Sequence, residues 1–158
     1  MASKASAEPA DLPGLFVDLV RCETRLYNAL NDRLRERHGI VTSQFEGLRY
    51  LRGHPGARVA DIAADFAIGI GATSKSVDRL EKRGLVVRQP NPSDRRSSLL
   101  ALTEAGAQLV DAAEKTFAAA LAELIGAAVD NSSAAAAAQA LSALRSVLER
   151  DRVGMPTG

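Results

Sequence analysis

The chain has 158 residues, a formal net charge of +1 and a single cysteine. This is the size of one domain, or of one protomer of a small oligomer, and it excludes an internal disulfide. Apolar residues make up 46% but aromatics only 4%, with no Trp; many of the apolar residues are alanines, which bury little area, so a second copy is expected to complete the core.

No apolar run is long enough to span a membrane. The polar, Ala/Ser-rich start does not read as a signal peptide, and the lone thiol suits a reducing cytoplasm. Residues 1–11 are expected to be disordered. A long helix is predicted over about 13–38, where Leu15, Leu19, Cys22, Leu26, Leu30 and Leu34 recur at spacings of three and four. On that stripe Cys22 reads as a small buried hydrophobe rather than a redox centre. Gly39 stops the helix, and Thr42-Ser43 are expected to cap a second one, with Phe45, Leu48 and Leu51 on its buried face. The cluster Gly53-His54-Pro55-Gly56 ends it.

A short third helix is expected over Val59–Phe66, a turn at Gly69 and Gly71, and a fourth helix to Arg83 that Gly84 terminates in the left-handed conformation. Two short apolar runs follow, near Val86–Arg88 and Ser98–Leu102. The polar loop between them carries two prolines, so the segment is read as a β-hairpin with a stiffened tip. Thr103 caps a long fifth helix with Leu109, Phe117, Leu121, Leu124 and Ile125 along it. Asn131-Ser132-Ser133 break and recap the chain before an Ala-rich last helix to about Arg150. The tail 151–158 is expected to be flexible.

Charge is not spread evenly. Residues 49–96 hold ten basic side chains and five acidic ones, a local +5 in a near-neutral protein. That is the electrostatic footprint of a phosphate binder. On the fourth helix Thr73, Val77 and Leu80 share one side, while Ala72, Lys75, Ser76, Arg79 and Lys82 lie roughly opposite. Lys75 and Arg79 can donate to guanine edges or phosphates, Ser76 can serve either, and Ala72 is short enough to meet a thymine methyl. A basic helix followed by a hairpin with Asp94, Arg95 and Arg96 at its tip is the layout of a winged helix-turn-helix. The expected fold is therefore mainly α with a small β-hairpin wing. The winged helix-turn-helix would cover 42–103 and a helical dimerisation region 12–41 and 104–150.

The ordered set of motifs resembles the MarR group of bacterial transcription regulators. Asp61-Ile62-Ala63 is similar to the family's first helix-turn-helix helix, and Val77-Asp78-Arg79-Leu80-Glu81-Lys82-Arg83-Gly84-Leu85-Val86 to the end of its recognition helix. Asp94-Arg95-Arg96 resembles its wing signature, and Leu102-Thr103-Glu104-Ala105-Gly106 the opening of its next helix. The chain departs from the family at the turn, which there carries Gly and then a Ser cap and here carries Ala67 and Gly69.

The resemblance implies a homodimeric, sequence-specific regulator, most simply a repressor, on a pseudo-palindromic double-stranded operator. It implies that Arg96 enters the minor groove with Asp94 orienting it. Arg95 and Arg88 would contact phosphate, as would Ser74, which stands where the family has Thr. It also implies release by a small aromatic or anionic effector held between the dimerisation helices and the winged helix, for which Arg21, Arg25, Tyr27, His38 and Tyr50 are the polar candidates. The peroxide-sensing branch of the family carries its cysteine nearer the start of the first helix, a pattern that Cys22 matches poorly. His38 and His54 have no carboxylate or thiol partner at ligand spacing, and no phosphate loop or Ser/His/Asp set is present, so neither a metal, a cofactor nor an enzyme is expected. The competing reading is a winged-helix module that binds protein or RNA.

Overall fold

The computed structural model describes residues 7–157. Six helices and one hairpin follow in the order α1 (Leu12–His38), α2 (Thr42–Gly53), α3 (Val59–Asp65), α4 (Ile70–Lys82), β1 (Val86–Pro90), β2 (Ser98–Leu102), α5 (Glu104–Gly126) and α6 (Asn131–Arg150). The expected mainly helical fold with a hairpin wing is what is found. Of the expected disorder at 1–11, residues 1–6 lie outside the described residues, and residues 7–11 are exposed and belong to no element.

The helix ends show why the chain folds where it does. Asp11 opens α1 by accepting the Gly14 N–H at 3.0 Å, and Gly39 closes it at φ +65°. Thr42 and Ser43 do not cap α2, contrary to expectation. Val41 is the N-cap residue, its N–H donates to Gln44 Oε1 at 3.0 Å, and the Thr42 N–H is taken up by Asn31 Oδ1 of α1 at 2.8 Å. A side chain three residues on, and one from a neighbouring helix, thus satisfy donors that a local hydroxyl was expected to reach.

The turn between α3 and α4 also differs. Gly69 is the N-cap of α4 and Gly71 lies inside that helix. The reversal is made by Ala67, at φ +51°. The Ile68 N–H donates to Ala63 O and the Ala67 N–H to Ala64 O, the paired bonds of a Schellman ending with alanine where glycine is usual. The same motif closes α4 at Gly84, through Leu85 N–H to Leu80 O and Gly84 N–H to Glu81 O. Asp130, one residue before the expected break, caps α6 by accepting the Ser133 N–H at 2.8 Å.

β1 and β2 pair antiparallel with Val86 opposite Leu102 and Pro90 opposite Ser98. The segment before α3 adds a short third edge, with Leu100 N–H donating to Ala57 O at 2.8 Å and Gly56 N–H to Leu100 O at 3.0 Å. Thr103 locks hairpin to helix. Its Oγ1 donates to Gly84 O at 2.6 Å and accepts the Gly106 N–H at 3.0 Å.

The core sits where α1, α2, α4, β2 and α5 meet, around Leu34, Phe45, Leu48, Val77, Leu100 and Val110. Phe45 and Phe117 pack with ring centroids 4.9 Å apart. The stripe predicted along α1 is buried only at Leu30 and Leu34, near the end of the helix from which Arg33 and His38 bond to Glu123 and Thr116 of α5. Cys22 is therefore exposed, correcting its expected burial. No residue of α6 is buried. After α6 the chain turns back at Arg152, and Leu148, Val153 and Met155 line a shallow cavity with Tyr50, His54 and Phe66.

Candidate nucleic-acid interface and the cleft behind it

α4 is seated by Thr73, Val77 and Leu80, all buried, while Ala72, Lys75, Arg79 and Lys82 are exposed and Ser74 and Ser76 half-buried. The Thr73 hydroxyl donates to Gly69 O at 2.9 Å, so this buried polar group fastens the start of α4 to its own turn. At the far end Arg83 reaches back to Gly39 O at 2.9 Å and ties α4 to the α1–α2 junction.

The wing tip is shaped by short polar side chains. Asn91 Oδ1 accepts the Ser93 N–H at 3.0 Å, Asn91 Nδ2 donates to Ser97 Oγ at 3.0 Å, and Asp94 Oδ1 accepts the Arg96 N–H at 2.9 Å. Asp94 thus holds the backbone beneath Arg96. Its contact with the guanidinium is loose, 3.9 Å from Nε, and the Arg96 side chain is 96% exposed. A carboxylate that fixes the backbone leaves the arginine head available to a phosphate or a narrow groove.

Arg88 is placed otherwise. Its guanidinium lies 2.5 Å from Asp78 Oδ1 and 3.7 Å from Glu81 Oε2, both on α4. It bridges the wing base to α4.

Behind α4 lies a cleft of about 580 Å³ walled by α1, α2, α3 and α4. Its apolar wall includes Leu51, Ile62, Phe66, Val77 and Leu80, and its polar rim Glu23, Tyr27, Ser43, Glu46, Ser76 and Arg79. Tyr27 donates to Glu46 Oε2 across 3.4 Å. Burial, then the nearby Glu46 charge, pushes the Tyr27 hydroxyl up to about 12, so it stays a neutral donor. Burial also raises the Glu46 carboxyl above its ordinary value, against the lowering effects of the Tyr27 bond and Arg49.

Of the five residues expected to meet an effector, this cleft contains Tyr27 alone. Tyr50 stacks on His54 at 4.1 Å in the other cavity. His38 Nε2 pairs with Thr116 Oγ1 of α5 at 2.8 Å. Arg21 and Arg25 are exposed on α1 and line neither cavity. Glu23, Ser43 and Glu46 were not anticipated; the only available signal was that Glu23 and Tyr27 share a helix face, as do Ser43 and Glu46.

A sequence model of the MarR family matches residues 40–98, the stretch from the α1–α2 turn to the start of β2. Over that stretch the chain is similar to the MarR family. It is 28% identical over 91 residues to the HTH-type transcriptional regulator MhqR of Bacillus subtilis, covering 56% of this chain and 63% of that one. It is 37% identical over 73 residues to the HTH-type transcriptional repressor NicR of Pseudomonas putida, covering 46% of each. The chain thus spans less than two thirds of the length of these relatives. Among solved structures, the transcriptional repressor CouR bound to a 23-mer DNA duplex superposes with a TM-score of 0.75 at 27% identity, over 81% of this chain and 89% of that one. The MarR-family match takes in α2 through α4 and the wing tip, so the exposed face of α4, Asp94-Arg95-Arg96 and most of the cleft lie within it.

Proposed function

We propose that the chain is a homodimeric, sequence-specific DNA-binding transcription repressor that works in the cytoplasm, carries out no reaction of its own and is released by a small effector. The observation that carries this reading is the arrangement of two exposed basic elements on one rigid frame. Thr73, Val77 and Leu80 anchor α4 so that Lys75, Arg79 and Lys82 project, and Asp94 shapes the wing tip so that Arg95 and Arg96 project. α4 suits a major groove, where Lys75 and Arg79 read base edges, Ala72 meets a thymine methyl, and Ser74 and Ser76 assist. Arg96 suits the adjoining minor groove and Arg95 the phosphates. Arg88 serves in this reading as the brace between the two elements. No helix among the described residues is long and apolar enough to cross a membrane.

The dimer would be built from α1, α5 and α6, with residues 42–103 left to the DNA. Its support is the apolar surface along α1 and α6 that one copy leaves uncovered. Two symmetry-related α4 helices entering successive major grooves would sit about 34 Å apart, so the preferred site should be a pseudo-palindrome with half-site centres about 10 bp apart. The effector would act from the cleft, because Ala72, Ser76 and Arg79 line it and also belong to the proposed DNA face. A ligand there shifts the equilibrium toward a seating of α4 that fits DNA less well.

Selection from random duplexes tests the reading. A two-fold site is expected, and Arg96→Ala should weaken its binding by about 1–3 kcal/mol and reduce the salt slope by about one. Recovery of no sequence preference would instead favour a protein- or RNA-binding module.

A further inference from the structure

The cleft behind α4 has a charge balance that selects among effectors. Three charged side chains line it, Glu23 and Glu46 on its α1–α2 side and Arg79 on α4. Arg79 belongs to the proposed DNA face, so the permanent character of the cleft is acidic. Glu46 is half-buried, and one of its oxygens accepts the long bond from Tyr27. No donor among the described residues reaches its other oxygen. An aromatic carboxylate or phenolate entering here would bring a third negative charge against two carboxylates in a partly desolvated space. Arg49 acts on Glu46 through its charge but its Nε lies 3.7 Å from Glu114 Oε1, so a cation inside the cleft would supply the bonded donor that Glu46 lacks.

We propose that this cleft takes a small amphipathic cation, an arylalkylamine, whose ammonium sits against Glu46 and Glu23 while its apolar body lies on Leu51, Phe66 and Val77. This rests on the effector reading above and specifies the chemistry of its ligand. The volume, about 580 Å³, is ample for a one-ring amine. An ammonium donates up to three hydrogen bonds and the Glu46 and Glu23 carboxylates accept them. Tyr27, held neutral, closes one side as a donor to Glu46. Ammonium and guanidinium repel, so occupancy drives Arg79 outward and changes how α4 meets DNA.

Calorimetric titration of the full chain with phenethylamine and with phenylacetate, matched in size and opposite in charge, separates the alternatives. One saturable amine site per chain is expected, with phenylacetate binding at least tenfold more weakly. Glu46→Gln should weaken the amine at least tenfold, and Tyr27→Phe, which keeps the carboxylate and the ring, no more than a few fold. Phenylacetate binding as tightly as the amine overturns the proposal. So does an amine affinity indifferent to Glu46→Gln, or the absence of binding by either compound at millimolar concentration. The same amine is then added to the protein on its selected duplex. Loss of DNA binding supports ligand and effector role together, whereas saturable, Glu46-dependent amine binding with unchanged DNA affinity supports the ligand class and overturns the release mechanism.

Discussion

Leu34, Phe45, Leu48 and Leu100, where α1, α2, β2 and α5 converge, have no exposed surface. Leu15 and Phe16 at the start of α1, and Leu141 and Leu144 midway along α6, keep 61%, 64%, 47% and 50% of theirs. The two regions use the same kinds of side chain, so composition does not distinguish them. Completeness does. The winged half closes on itself through a hairpin, two Schellman endings and a capped junction, whereas the arms present an apolar face that one chain leaves open. Exposed apolar faces of this extent are what the proposed dimer would cover. In the proposed function the closed half would be carried to DNA, and the open arms would set the distance between two copies.

The closed half is broken most severely at Gly106. A Cβ there would collide with the Leu85 carbonyl oxygen, and backbone has little room to yield where Thr103 pins α5 to Gly84 and Leu85. Gly106→Ala should destabilise the fold by about 3 kcal/mol, at the upper end of overpacking costs, read as a lower urea midpoint at unchanged slope. The arms are broken without touching that core by Leu141→Glu together with Leu144→Glu. Light scattering should then report a monomer, far-ultraviolet circular dichroism should stay helical, and affinity for the two-fold site should fall about 10²-fold as the second recognition helix ceases to be tethered. A dimer that survives both substitutions would show that the open faces serve something else.

What was legible in the sequence follows the same line. The closed half was read well because its signals are local: Gly84 after a basic helix, Thr103 before Glu104, and two apolar runs around prolines. The arms were read as helices but not as exposed, since periodicity gives a face and says nothing of what covers it; Cys22 was misplaced for that reason. Alanine at 67 carries no turn signal, because its conformation is imposed by the packing of α3 against α4. The cleft was the least visible part. Glu46 and Tyr27 lie on different helices and become neighbours only when α1 crosses α2, and singly each reads as an ordinary surface residue. Arg88 likewise pairs with Asp78 only because the chain reverses at Gly84.

Within the closed half, one junction is less well made than its counterpart. α4 ends on Gly84 at φ +72°, whereas α3 ends on Ala67 at φ +51°, a conformation in which a Cβ crowds the backbone. Ala67→Gly removes the crowding and adds unfolded-chain entropy, leaving a net gain of about 0.5–1 kcal/mol. A rise in the thermal midpoint with unchanged DNA affinity is the expected result. A loss would mean that the alanine methyl contributes more than its strain costs.

The smallest effect is the one that joins stability to function. Glu46 titrates above its ordinary 4.5 in the folded protein because burial disfavours its charge. The folded state therefore holds that proton more tightly than the unfolded chain does. The associated stability is fully present below the ordinary carboxylate value and is lost as pH rises through the raised one. Glu46→Gln removes the titration, so the variant should melt above the parent at neutral pH and converge with it in acid. The groups facing Glu46, namely Glu23 and Tyr27 from α1, Arg49 from α2 and Arg79 from α4, remain in both proteins, so the difference between the two melting profiles reports Glu46 together with its charge coupling to them. Parallel profiles across the whole range would mean that Glu46 is no more costly to ionise in place than in water. The expected divergence has a direction that core residues never show: a substitution that improves the fold while weakening the proposed amine site, as fits a carboxylate kept for a ligand rather than for packing.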